Sequence, residues 1–413
     1  MKTKYYIVLQ PTIHAMGGEE MYTRNILLSA RQQGYIPIVF HSGIGDDIIY
    51  IDDLKPYGQN AFSEFRYEPC VISNKQKVQL LERIKSILID YDEDSIIESH
   101  EVLVAEWGEW IAKNLGIRHF AYMLLEHHTL SNQSLYDFFK FKYDRNELAG
   151  IVDATIPDMF KSFEKNVKGV SLPAHCTNVY EDIPCPKEFQ TKNADYTIGS
   201  IGRTNKQYVL PMVDSIVRFV SSHRDKTFNV LYVGGSMDKQ SEEMVVSHLS
   251  SVPNVNLLFT GMIFPLSIEM IRQMDVCIAS SGSCMASYNC GVPTISIDGN
   301  DSKAIGVFNE TTKNFLFRSS TEPPLEIEDL LENILIKKKY QRVNTIKQMD
   351  VDFSSHWDFV NNMSLQRDYF DIDAITYPFK KRMIARFLGV YYGLNPSGFA
   401  YRLIGKLINI IKR

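Results

Sequence analysis

The sequence predicts an α/β protein of two Rossmann-like halves facing one another across a cleft, with an amphipathic helical tail at its end. Three observations carry this. Short apolar runs alternate with amphipathic helical runs along most of the 413 residues, which is the pattern of parallel sheets covered by helices. Glycine-rich turns follow the strands in both halves. The alternation also restarts after the polar stretch QTKNAD, so a boundary is expected near 189–194.

Composition narrows the function classes. Apolar content of 45% and charged content of 23% are those of a folded globular protein, and the length allows two domains with a core each. The formal net charge of −5 hides an asymmetry, because residues 380–413 hold eight basic residues and no acid, leaving −13 on the rest. A body this acidic argues against a nucleic-acid partner. The six cysteines (Cys70, Cys176, Cys185, Cys277, Cys284, Cys290) form no C-x-x-C pair and read as buried thiols in a reducing cytoplasm. The opening MKTKYYIVLQ reads as a first strand instead of a signal peptide. No run reaches the ~18 apolar residues of a membrane span.

In the first half, a strand over 5–9 runs into Gly17-Gly18 and a helix with Met21, Ile26, Leu27 and Ala30 at helical spacing, ending near Gly34. A strand over 36–40 completes a β-α-β unit. The glycine pair marks either a close backbone approach to a ligand or only a tight turn. Helices over 78–89 and 102–114 flank a strand over 95–98, and a strand over 119–125 ends in Glu126, His127 and His128. An acid or imidazole at that sheet edge suits proton handling, and equally suits a loop hydrogen bond. Residues 153–170 read as helix or loop, and 170–184 as a strand running into an irregular segment.

In the second half, a strand over 196–201 leads into Gly202-Arg203-Thr204-Asn205-Lys206 and a helix over 209–222. A strand over 229–233 leads into Gly234-Gly235-Ser236, followed by a helix over 242–249, a strand over 255–259 and a helix over 267–274. The stretch DVCIASSGSCMASYNCGVPTISID at 275–298 is the centre of this half: strand, small-residue turn, short helix stopped by Gly291, and a buried strand over 292–297. Its turn lies at the carboxyl edge of a parallel sheet, where ligands collect. Free N–H groups at the helix start, with the hydroxyls of Ser281 and Ser283, would suit a phosphate. An ordinary N-cap is the plainer alternative.

Taken in order, Gly17-Gly18-Glu19, IGR…K at 201–206, VGGS at 233–236, NVNLLFTG at 254–261 and DVCIASS…NCGVPTISID resemble the nucleotide-sugar glycosyltransferases of the GT-B fold, nearest the family-four type, over residues 5–317. The resemblance implies retaining sugar transfer in bacterial surface polysaccharide synthesis. It implies an acceptor domain over 1–190, a nucleotide-sugar domain over 191–345, and a helix in 346–377 that crosses back. Gly18 is implied at the donor or acceptor, and Gly235 and the turn Ser281, Gly282 and Ser283 at the donor, with Arg203 and Lys206 on its diphosphate. Two fixed cations there would stabilise the leaving group's charge. His127 matches the histidine facing the transferred sugar, with Glu126 or His128 as nearby alternatives. No metal and no cofactor beyond the nucleotide-sugar are implied. The family's paired glutamates fall on Ile278 and Ala286 here, so grip on the donor sugar would pass to hydroxyls and backbone N–H groups.

A helix over 325–340 precedes a second over 353–369, where Trp357 and Phe359 are expected to anchor packing. Beyond Pro378 the tail changes character. Arg402, Lys406, Asn409 and Arg413 share one helical face, with leucines and isoleucines filling the rest. Such a helix suits an anionic membrane surface, each cation contributing ~1 kcal/mol, or packs on the acidic body or a partner. The sequence thus points to a glycosyltransferase peripheral on the cytoplasmic face of the cell membrane, moving a sugar from a nucleotide diphosphate sugar to a lipid-linked or growing saccharide. Its rivals are a non-catalytic GT-B subunit that binds or stabilises a glycosyltransferase complex, and a sugar-nucleotide epimerase of the same architecture.

Overall fold

The computed structural model describes residues 2–43, 48–125, 128–130, 132–236, 238–347, 351–364 and 367–377. The first half runs β1 (Tyr5–Gln10), α1 (Gly18–Gln32), β2 (Ile36–His41), α2 (Asn74–Ile87), β3 (Ile96–His100), α3 (Val102–Leu115), β4 (Arg118–Met123), α4 (Gln133–Asp144), β5 (Leu148–Gly150) and α5 (Thr155–Phe160). Its five strands form one parallel sheet in the order β2-β1-β3-β4-β5.

Every residue of β1 is buried, which is why YYIVLQ reads as an unbroken apolar run and not as an alternating one. Tyr5, Ile7 and Leu9 pack with Leu80 and Ile84 of α2 and Trp107 of α3. Tyr6 and Val8 point to the opposite face, against Tyr22 and Ile26 of α1.

The second half contains β6 (Tyr180–Glu181), β7 (Tyr196–Ile201), α6 (Val209–Ser222), β8 (Phe228–Val233), α7 (Lys239–Ser250), β9 (Val255–Phe259), β10 (Leu266–Ser267), α8 (Ile268–Ile271), β11 (Val276–Ala279), α9 (Gly282–Asn289), β12 (Thr294–Ile297), β13 (Ala304–Val307) and α10 (Ile327–Leu331). The main sheet has the order β13-β12-β11-β7-β8-β9, parallel except at β13, which pairs antiparallel with β12. Here α6, α7 and α10 cover one face, while α8 and α9 contribute to the core on the other.

Three expectations are corrected. Residues 170–184 do not make a strand of any length: only β6 forms, pairing with β10, because Pro173 and Pro184 interrupt the run and its backbone bonds go to the domains on either side. The helix expected over 325–340 is α10 followed by one wide turn at Glu332–Ile336. The helix expected over 353–369 ends early, as α11 (Ser354–Asn361).

α11 lies on the first half. The Trp357 ring stacks on Tyr35 at 5.9 Å, its indole N–H donates to Ser29 Oγ at 2.9 Å, and Phe359 meets Phe120 edge-on at 5.5 Å. The chain then straps across α3 and α4. Lys77 pairs with Asp373 at 2.5 Å, the Phe370 N–H donates to Glu109 Oε1 at 2.7 Å, and Ile372, Ile375 and Tyr377 are buried against Phe138, Phe139 and Met159.

Candidate functional site at the facing sheet edges

Each sheet reverses its strand order once. In the first half the reversal falls between β1 and β3, and in the second between β7 and β11. The crevice beyond the carboxyl ends of such a strand pair is where open α/β sheets bind ligands. In the first half those ends carry the turn into α1 and His100-Glu101; in the second they carry Gly202-Arg203 and the Ser280–Ser283 turn.

The two edges meet. A β-carbon at Gly17 would sit 3.8 Å from the Arg203 guanidinium, and one at Gly18 would sit 3.4 Å from the Cys176 side chain. On the other side, a β-carbon at Gly282 would sit 3.0 Å from the Thr177 backbone. Asn178 Nδ2 donates to Ser283 Oγ at 2.9 Å, and Asn25 Nδ2 donates to the His175 carbonyl at 2.8 Å. The connecting segment around residues 175–178 therefore runs between the first turns of α1 and α9 and occupies the Ser283 hydroxyl.

Among the residues singled out from sequence, Gly18, Arg203, Ser281, Gly282 and Ser283 thus converge on this seam. Ser281 is held at a positive φ of 56°, and its N–H donates to the Phe315 carbonyl at 2.6 Å. Lys206 is exposed on the turn after β7. Gly235 is buried, with its open side taken up: a β-carbon there would meet Glu242 Oε1 at 2.5 Å and the Met262 nitrogen at 3.2 Å. Around it, Thr204, Ser236 and Ser241 share hydroxyl hydrogen bonds of 2.8 and 3.0 Å, and the Ser236 N–H donates to Glu242 at 2.8 Å. Ile278 and Ala286 are fully buried. Glu126 and His127 lie outside the described residues, as do residues 378–413. Burial lowers the pKa of their neighbour His128.

The first-half edge holds a charged cluster that strand-by-strand reading misses. Burial, with Glu19 adding to it, pushes Glu20 up to about 7 against the pull of backbone N–H groups and Arg203. Burial and then Glu19 raise Glu101 to about 6. Behind them sits Glu98, fully buried at the end of β3. It accepts from Tyr6 Oη, from Tyr22 Oη at 2.7 Å and from His100 Nε2 at 3.2 Å. Burial opposes the charge on Glu98, yet His356, His100 and Tyr6 together hold its carboxyl below the usual range. Burial likewise opposes a charge on His100, but Glu19 and Glu98 outweigh it and carry the imidazole up to about 9. The sequence signal was the pair Glu98 and His100 at a strand end, and its meaning depended on β3 lying beside β1.

Among the described residues, no group of three or more histidine, cysteine, aspartate or glutamate side chains could hold a metal ion, and no helix is long and apolar enough to cross a membrane. The six cysteines form no disulfide, and burial pushes the Cys277 and Cys290 thiols to about 12, which keeps them inert.

No protein-family model matches the sequence, and no curated protein matches it significantly. Solved structures do match the fold. A glycosyltransferase from Rickettsia africae ESF-5 is 15% identical, with a TM-score of 0.55 over 88% of this chain and 95% of that one. Anabaena Alr3699/HepE, solved in complex with UDP and glucose, is 11% identical, with a TM-score of 0.50 over 81% of this chain and 91% of that one. The architecture is that of two Rossmann-like domains whose ligand edges face across a cleft. The fold is GT-B.

Proposed function

We propose that the protein transfers a sugar from a nucleoside diphosphate sugar to a lipid-linked or growing saccharide in surface polysaccharide synthesis. The observation that carries the reading is Arg203, at the carboxyl end of β7 beside the point of strand reversal and against the Gly17 turn of the opposite domain. A diphosphate leaving group gathers negative charge as the anomeric bond breaks, and a fixed guanidinium at that edge stabilises it. Lys206, exposed on the same turn, adds a second cation. UDP is the first nucleotide to test, since the Anabaena protein was solved with it. The retention implied by the resemblance rests on glutamates matched here to Ile278 and Ala286, so the proposal is confined to transfer itself. The basic tail would hold the protein at an anionic membrane, where a lipid-linked acceptor lies.

Calorimetric titration with UDP, GDP, CDP and ADP, repeated on the Arg203→Ala, Lys206→Ala double variant, tests this. Selective binding of one nucleotide, weakened ~10- to 100-fold in the variant as loss of charge-assisted hydrogen bonds predicts, is the expected result. No binding to any of the four would favour the second reading, a non-catalytic subunit, for which the occupied Ser283 hydroxyl already speaks.

A further inference from the structure

The nucleotide site leaves unused a line of groups that runs outward from the centre of the first sheet. Glu98, fully buried, is fixed by two tyrosine hydroxyls and by His100 Nε2. The other ring nitrogen, His100 Nδ1, is buried without a hydrogen-bond partner. It points at Glu19 Oε1 from 3.5 Å, an ion contact too long for a good hydrogen bond. Glu19 Oε1 has no hydrogen-bond partner either, and the Glu19 side chain keeps 23% of its surface exposed. It sits in the first turn of α1, two residues beyond the glycine that Arg203 approaches. A buried polar atom without a partner costs stability, and here the two face each other directly behind the first turn of α1.

We propose that Glu19 is the catalytic base of the transfer, taking the proton from the attacking hydroxyl, with His100 and Glu98 as positioning residues that orient its carboxylate. The proposal rests on the sugar-transfer reading above. The acceptor O–H bond breaks, and its proton passes to the Glu19 carboxylate. The freed oxygen pair forms the bond to the anomeric carbon. The bond from that carbon to the diphosphate oxygen breaks, and its electron pair leaves on the nucleoside diphosphate against Arg203. Direct displacement of this kind inverts the anomeric configuration.

The neighbouring carboxylates are less suited. Glu20 is buried, and its carboxylate turns back onto the Gly17 and Glu20 backbone N–H groups. Glu101, unlike Glu19, does not come within ion-pair distance of His100. The groups facing His100 are Glu19 and Tyr22 from α1, Glu98 and the adjoining Glu101, Tyr122 from β4 and His356 from α11. Of these, the two carboxylates in contact keep it cationic up to about pH 9.

The test uses the full-length protein with UDP-glucose, UDP-N-acetylglucosamine and GDP-mannose, water serving as acceptor, and reads nucleotide release, the anomer of the released sugar and nucleotide affinity. Glu19→Gln should bind nucleotide within about twofold of the wild type and release it about 100-fold more slowly, the usual weight of a general base. Glu19→Asp should recover part of the rate. His100→Gln should lower kcat more than it changes KM and abolish the alkaline fall of the rate near pH 9. Independently of activity, the His100 imidazole followed by NMR should lose its proton at lower pH in Glu19→Gln than in the wild type. Release by Glu19→Gln within threefold of the wild-type rate, retention of configuration, or an unchanged His100 titration overturns the proposal. Nucleotide binding without release by the wild type overturns the base and leaves the donor site standing. Absence of nucleotide binding removes the sugar-transfer reading and the base together.

Discussion

The Tyr6 hydroxyl lies 2.7 Å from Nε2 of His356, joining residues 350 positions apart. Tyr6 stands on the central strand β1 and His356 on the returning helix α11, and both reach the carboxylate of Glu98. Burial, opposed by Glu98, lowers the pKa of His356. Tyr6 gives its proton to Glu98, so the tyrosine oxygen is left to accept from the Nε2–H of His356. α11 is thereby linked, through the Tyr6 hydroxyl, to the carboxylate beside His100.

Removing that carboxylate leaves two hydroxyls and a buried imidazolium without their acceptor. Glu98→Ala should therefore destabilise the protein by ~3–5 kcal/mol, the range for breaking a buried charged network. Glu98→Gln keeps an acceptor and should cost ~1–3 kcal/mol. Urea denaturation checks both, and a loss below ~1 kcal/mol for Glu98→Ala would mean the network adds little to stability.

The same network makes stability depend on pH. His100 titrates at about 9 in the folded chain against ~6.5 unfolded. A raised folded pKa means that the folded state binds the proton more tightly. The contribution is fully present below about pH 6.5 and is lost as pH rises through 9, on the order of 3 kcal/mol by linkage. Denaturation midpoints at pH 6, 8 and 10 should fall more steeply for the wild type than for His100→Gln, and parallel curves would refute this.

How much of this was legible in sequence depends on how local the signal is. Arg203 could be placed at a ligand edge because a strand, a glycine and a basic residue follow one another within a few positions. Gly17-Gly18 was readable for the same reason. Glu98 and His100 are only two residues apart, yet their importance comes from β3 pairing with β1 and from His356 arriving from the far end of the chain, which no local pattern encodes. The contact of Asn178 with Ser283 was equally hidden, since it depends on the path of an irregular, proline-interrupted segment between the domains.

Gly234 should tolerate no side chain. Its φ is +134°, and a β-carbon there would overlap the Gly202 carbonyl oxygen at 2.2 Å. Backbone strain and overpacking each cost ~1–3 kcal/mol, so Gly234→Ala should lose on the order of 3 kcal/mol and distort the turn that carries Arg203. Gly34 is the control. Its φ is +83°, but nothing lies within 4 Å of the added carbon, so Gly34→Ala should cost only the left-handed strain of ~1–2 kcal/mol. Equal losses in thermal unfolding would show that the carbonyl contact is not what demands glycine at 234.

The described contacts at the end of the strap all lie before residue 378. Ile372, Ile375 and Tyr377 are buried, Tyr377 Oη donates to Glu106, and Asn132 Nδ2 donates to the Thr376 carbonyl at 2.5 Å. A truncation that retains residues through 379 keeps all of these contacts, so its unfolding midpoint should match that of the full chain. It also deletes eight basic residues. At ~1 kcal/mol per cation near anionic lipid, that loss is enough to abolish membrane binding. The measurement is flotation with vesicles containing phosphatidylserine. The full chain should float, less so as salt is raised, and the truncated chain should remain at the bottom with its nucleotide affinity unchanged. Flotation of the truncated chain would assign membrane binding to the body of the protein, and failure of the full chain to float would return the tail to packing on the acidic domains or on a partner.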